Sequence, residues 1–218
     1  MHYKSYGADK TDYTGQIDCS GGVINFGSDG QMLRKLCPDD DFDYFNNELM
    51  KAISVLSNQV IPNNISKLAL VSVPSSTVER DAGATMRKSI KCIENWYDEG
   101  KTETEFGCKK EIINCGNILT RISDVNTSHL SKTQPMFYDV TTSYKYKSRP
   151  SYIEHKNSIE CSKSEILERD DVAFVILDDI STRGTIMDAC EDILIDNGAN
   201  KENIYKFALF KTKWCNND

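Results

Sequence analysis

Residues 174 to 185 read Phe174-Val175-Ile176-Leu177-Asp178-Asp179-Ile180-Ser181-Thr182-Arg183-Gly184-Thr185. The apolar run from Val172 to Leu177 predicts a central parallel strand, because a strand covered on both faces has no polar alternation. Two acids follow, then a tight polar turn from Ser181 to Thr185. A helix is expected from there to about Asn197, with Ile186, Cys190, Ile193 and Leu194 facing inward and Asn197-Gly198 as its C-cap. Ile204 to Lys211 predicts a last strand, which completes a βαβ unit.

Working outward, Lys67 to Val73 predicts a buried strand stopped by Pro74 and followed by Ser75, Ser76 and Thr77. Met86, Ile90, Ile93 and Tyr97 mark one face of a helix over about 84 to 98. Residues 99 to 110 are charged and read as a loop, and Glu111 to Ile118 fits either a strand or a short helix. Residues 158 to 160 read as a short strand. Upstream, Asp40 or Asp41 can cap a helix to about Gln59 that carries Phe42, Phe45, Leu49, Ala52, Ile53 and Leu56 at helical spacing. The acids of residues 39 to 41 suit a first helical turn better than a metal. Gly21-Gly22 opens Val23 to Phe26, a small hairpin or edge element in a turn-rich start. The division expected is an N-terminal hairpin and helix over 1–62, forming a hood or appendage, and an α/β core over 63–218. That core has an open, mainly parallel sheet flanked by helices, and contains a long polar loop at 121–156.

The chain has 218 residues, a net charge of −7, 39% apolar and 27% charged residues. That is a globular composition, long enough to bury a core. The acidity argues against nucleic acid and anionic membranes as partners. No apolar run reaches a membrane span and the N-terminus has no apolar signal region, so a cytoplasmic protein is expected. The 8 cysteines show no C-x-x-C spacing and are read as reduced thiols. The 121–156 loop stands apart: Arg121, Lys132, Lys145, Lys147, Arg149 and Lys156 outnumber Asp124, Asp139 and Glu154 in an otherwise acidic chain. A long polar loop within a compact domain is usually functional or disordered.

The chemistry concentrates after the central strand. In open α/β sheets ligands bind beyond the carboxyl ends of the strands, where Asp178 and Asp179 stand. The helix start offers unpaired N–H groups, Ser181, Thr182 and Thr185 add hydroxyls, and Gly184 lets the backbone come close. This combination suits a phosphate. Carboxylates beside a phosphate need their own partner, and vicinal sugar hydroxyls or a divalent cation supply one. A ribose 5-phosphate site follows. A Walker A loop and a three-glycine dinucleotide fingerprint are absent, and the acids are adjacent rather than spaced as D-x-D.

Residues 174 to 186 resemble the PRPP-binding loop of type I phosphoribosyltransferases, and Asp178 to Thr185 is most similar to the orotate and ComF-like branches. Val71 to Thr77 looks like the first strand of that fold and its pyrophosphate loop, and the 121–156 segment sits where the family's mobile hood lies. The resemblance implies a type I phosphoribosyltransferase-like fold and an enzyme that transfers ribose 5-phosphate from PRPP to a nitrogenous base or nucleotide, releasing pyrophosphate. Asp178 and Asp179 would hold the ribose hydroxyls, with Mg2+ bridging sugar and pyrophosphate so that they meet the metal only through PRPP. Ser181, Thr182, Arg183, Gly184 and Thr185 would cradle the 5-phosphate, and Pro74, Ser75, Ser76 and Thr77 would form the pyrophosphate loop. Arg121, Lys132 and Arg149 would be the catalytic cations, stabilising the leaving group on closure, with His129 a candidate proton donor. A homodimer or a protein partner is compatible with this reading.

Departures from the family accompany the match. Thr182 stands where purine-type relatives carry an acid that assists the base, which argues against hypoxanthine or guanine. Arg183 is bulkier than the usual residue, Ile186 replaces a frequent Thr, and the ComF-like zinc module is missing. The alternative is a non-catalytic PRPP- or nucleotide-binding regulator or partner subunit of the same fold.

Overall fold

The computed structural model describes residues 4–6, 11–20, 23–25, 42–75, 78, 84–125, 151–181 and 184–214. The strands are β1 (Lys4–Tyr6), β2 (Thr11–Ser20), β3 (Val23–Asn25), β4 (Lys67–Ser72), β5 (Glu111–Asn114), β6 (Leu119–Arg121), β7 (Ile159–Cys161), β8 (Val172–Ser181) and β9 (Ile204–Trp214). The helices are α1 (Phe42–Gln59), α2 (Ala84–Asp98), the single turn α3 (Lys101–Thr104), α4 (Tyr152–Asn157) and α5 (Thr185–Asp196). Strands β5, β4, β8 and β9 lie side by side in that order, all parallel. Strand β2 extends the sheet parallel to β9, and β1 and β3 pair antiparallel with β2. Strands β6 and β7 form a separate antiparallel pair.

Alternation along the strands divides the core into two halves. On one face Leu68, Leu70, Ala173, Val175, Leu177 and Phe207 pack against α1 and α2. On the other, Ala69, Val71, Phe174, Ile176, Ile204 and Ala208 pack against α5. Residues 172 to 177 of β8 are all fully buried, as a strand covered by helices on both sides must be. Each large side chain so buried contributes about 1.5–3 kcal/mol.

Helix α1 was expected in an N-terminal appendage, yet Phe45, Leu49, Met50, Ile53 and Leu56 belong to the same apolar cluster as the sheet. Helix α2 buries Met86, Ile90 and Ile93 as its spacing predicts, with Tyr97 partly covered. The inward stripe of α5 starts at Met187, which is fully buried, whereas Ile186 is only partly covered. The helix ends on Asn197, whose Nδ2 donates to the Ile193 carbonyl, and Gly198 follows at φ +110°.

Three expectations change. The charged stretch 99–110 contains α3, because Gly100 turns the chain at φ +74° and Trp96 stacks on Phe106 while Lys101 sits over the Trp96 ring. Residues 111–114, left open between helix and strand, form β5, whose partner β4 supplies the hydrogen bonds a short strand lacks alone. The ends of the 121–156 loop are ordered elements: Arg121 closes β6, and residues 152–157 form α4 behind a Ser151–Glu154 capping box. Among the described residues no helix is long and apolar enough to cross a membrane.

Candidate functional site

Strand β4 leads through α2 to β5 on one side, and β8 leads through α5 to β9 on the other. The chain therefore diverges beyond the carboxyl ends of β4 and β8, and such a switch in strand order is where open α/β sheets bind ligands. The last rung between the two strands is Val73 N–H donating to the Leu177 carbonyl at 3.0 Å. Past that rung the chain leaves β4 through Pro74 and Ser75 while β8 goes on into Asp178. The two segments were read separately from sequence, and strand pairing sets them together.

Pro74 is buried and Ser75 half-buried. Their loop is tied from outside: Arg121 Nε donates to the Ser75 carbonyl at 2.6 Å, and Val78 N–H donates to Asp124 Oδ1 at 2.6 Å. Both ties come from β6 and the residues after it. Arg121 also donates through Nη1 to Ser158 Oγ, at the junction of α4 and β7, and Ser158 Oγ in turn donates to the His155 carbonyl. Arg121 is 6% exposed, and burial pushes its guanidinium below the ordinary arginine value.

On the β8 side the strand runs further than expected. It continues through Ser181, so Asp178, Asp179, Ile180 and Ser181 belong to the strand, with Asp178 opposite Ala208 and Ser181 opposite Lys211. The turn before α5 is accordingly shorter than the sequence suggested, because pairing with β9 holds the strand extended past the end of its apolar run. Asp178 is half-buried, and its charge acts on the buried Cys190 thiol of α5. Burial first, then Asp178, push that thiol up, while Arg121 opposes. Cys190 is therefore a protonated core thiol beneath the site. Gly184 caps α5 at φ +75° with no side-chain cap, and Thr185 opens the helix half-buried. A left-handed residue there requires glycine or costs strain. Among the described residues no side chain caps this first turn, whose main-chain N–H groups suit an incoming acceptor.

Of the residues singled out in the sequence, the structure brings together Pro74, Ser75, Asp178 and the strand segment to Ser181, with Gly184 and Thr185 at the start of α5. Ser76, Thr77, His129, Lys132, Arg149, Thr182 and Arg183 lie outside the described residues. Arg121 belongs to β6 and is bound to two other segments. Sequence reasoning missed Asp124, His155 and Ser158 as supports of the loop after β4. The one local trace was the apolar–polar–buried alternation Leu119-Thr120-Arg121, too short to read as a strand alone.

No family model matches the chain. No curated protein matches it.

Proposed function

We propose that the chain binds PRPP in the crevice beyond β4 and β8 and transfers its ribose 5-phosphate to a nitrogenous base, releasing pyrophosphate. The reading rests on one observation: the acid-bearing end of β8, which leads to α5 behind Gly184, runs beside the strand that leaves for Ser75 at the switch in strand order. The helix start suits the 5-phosphate, Asp178 on the α5 face of β8 suits a ribose hydroxyl, and the loop from Pro74 suits the pyrophosphate. Transfer breaks the bond between the anomeric carbon and the pyrophosphate oxygen and forms a bond from that carbon to a ring nitrogen of the base, whose proton leaves. The transition state is oxocarbenium-like, so the protein's task is positioning and charge stabilisation. The Asp178 carboxylate offers oxygen chemistry suited to Mg2+. Among the described residues no three His, Cys, Asp or Glu side chains cluster for a metal, so the diphosphate would bring most of the ligands. Mg2+ would supply charge neutralisation of the leaving pyrophosphate.

PRPP consumption and pyrophosphate release, followed against a panel of pyrimidine and purine bases, test the reading. Turnover with at least one base is expected. In calorimetry the double variant Asp178→Asn, Asp179→Asn is expected to bind PRPP at least about tenfold more weakly. Unchanged affinity in that variant would sink the site assignment.

A second reading, a PRPP- or nucleotide-binding regulator without turnover, is favoured by Thr182 standing where purine-type relatives carry a base-assisting acid. Tight PRPP binding without turnover on any base would select it.

A further inference from the structure

Cys115 and Cys161 come together where the end of β5 meets the β6–β7 ribbon. Cys115 directly follows β5, and its carbonyl accepts from Ile118 N–H at 3.0 Å. The Ile118 carbonyl accepts in turn from Ser162 N–H at 2.8 Å, so a short ladder joins Cys115 to the neighbour of Cys161. Cys161 itself stands opposite Leu119, and cross-strand partners share a face. Leu119 is buried, so that face turns inward. Cys115, Ile118 and Leu119 belong to one apolar cluster, and Cys161 packs against it. The two sulfurs also act on each other: burial pushes the Cys115 thiol up to about 11, and Cys161 is the next cause. Both are free thiols, and Cys161 Sγ donates to the Ser162 carbonyl at 3.6 Å. They differ in access. Cys115 is 9% exposed, whereas Cys161 is half-buried and lines a cavity of about 450 Å³ with Lys156, Ile159, Glu160, Ile193 and Asp196. That cavity lies at the C-terminal end of α5, away from Gly184, and gives a small solute a way to the Cys161 sulfur.

We propose that Cys115 and Cys161 are an oxidation site, a thiol pair that a small peroxide converts to a disulfide with Cys161 attacked first. The Cys161 thiolate attacks a peroxide oxygen, the O–O bond breaks, and the far oxygen leaves as water once protonated. The sulfur, now a sulfenic acid, has given up two electrons. The Cys115 sulfur then attacks it, the S–S bond forms, the S–O bond breaks, and the hydroxyl leaves as a second water with the Cys115 proton. Two thiols and one peroxide thus yield one disulfide and two waters. Burial raises both thiols, which keeps thiolate scarce and makes the first step slow at neutral pH. The apolar cluster around Cys115 holds the second sulfur ready, so the sulfenic acid is short-lived. The link ties the β6–β7 ribbon, which carries Arg121, to the end of β5. This site is independent of the proposed PRPP site.

The test is peptide mapping of the full chain after hydrogen peroxide at mildly alkaline pH. Remaining thiols are blocked with N-ethylmaleimide and the protein is digested without reductant. A Cys115–Cys161 peptide pair, lighter by two hydrogens than its free halves and split by dithiothreitol, is expected as the main link. A bridge forms only where the two Cα atoms stand about 4.4–6.8 Å apart, so the link reads the geometry directly. Dimedone, which traps sulfenic acid, is expected to label Cys161 in Cys115→Ser and to leave Cys161 unlabelled in wild type. Absence of the Cys115–Cys161 link overturns the inference, and so does a main link that joins either cysteine to a third. Equal dimedone labelling of Cys161 in the two proteins overturns it as well, because Cys115 would then not be the second thiol. Should C115S fail to fold, the mapping of wild type decides alone.

Discussion

The Lys206 ammonium on β9 lies 2.9 Å from the Glu191 carboxylate on α5, and Asp188 closes on it from the preceding turn at 2.7 Å. The lysine is 7% exposed, so this pairing spans the sheet-to-helix interface beneath the candidate site. Burial pushes the ammonium down, but hydrogen bonds to Asp188 and Glu191 outweigh it and hold Lys206 above its ordinary value. Lys206→Met leaves two acids facing an apolar strand, and urea unfolding is expected to show a loss of about 2 kcal/mol. A lysine raised on folding contributes stability that is complete below the ordinary value of 10.5 and fades as pH rises through the folded value. Wild type should therefore lose stability above pH 10.5 more steeply than K206M, and parallel curves would refute the pairing.

Gly184 sits at φ +75° where the β8 strand hands over to α5. Gly184→Ala places a side chain in left-handed backbone, at an expected cost of about 1 kcal/mol in urea unfolding. The strained turn also shifts the main-chain N–H groups at the helix start, so PRPP affinity should fall as well. An alanine variant with wild-type stability would show that the turn readily adopts another conformation.

His155 is buried, and among the described residues its Nδ1 has no partner. Burial, reinforced by the nearby Arg121 charge, lowers its pKa below the ordinary 6.5. The unfolded chain thus takes up this proton first as pH falls. Stability is complete above pH 6.5 and is lost as the pH drops below it towards the folded value. The urea midpoint of wild type should fall between pH 7.5 and 5 more than that of His155→Gln. Equal slopes for the two proteins would mean that His155 does not titrate out of step with the unfolded chain.

Asn46 is fully buried in α1, and among the described residues neither its Oδ1 nor its Nδ2 has a hydrogen-bond partner. An unmet carboxamide in a core forfeits its hydration without return. Asn46→Leu, with the same branching and number of heavy atoms, is expected to stabilise the chain by about 1 kcal/mol. A drop in the urea midpoint would reveal a partner for the amide in solution.

Much of the fold was legible because local pattern and long-range packing agree. The run Val172 to Leu177 is apolar at every position because helices cover both of its faces, and that alone marks a central parallel strand. The stripes of α1 and α2 repeat at helical spacing because each helix buries one side. The end of β8 was harder. Asp178 to Ser181 carry no apolar signal, and they remain extended only because β9 pairs with them. Strand β2 was not foreseen either, since a strand parallel to β9 needs a partner nearly two hundred residues away, which no local period encodes.

The residue order by itself determined the βαβ unit, the acid pair after its first apolar run and the glycine at its turn, because these depend on which side chains avoid water and which backbone angles a residue tolerates. Only the tertiary structure decided that α1 joins the main core, that β4 pairs with β8 up to the Val73–Leu177 rung, and that Arg121 holds the Ser75 carbonyl. Those contacts join segments brought close by sheet formation, and their energies come from pairing and burial that exist only once the chain has closed on itself.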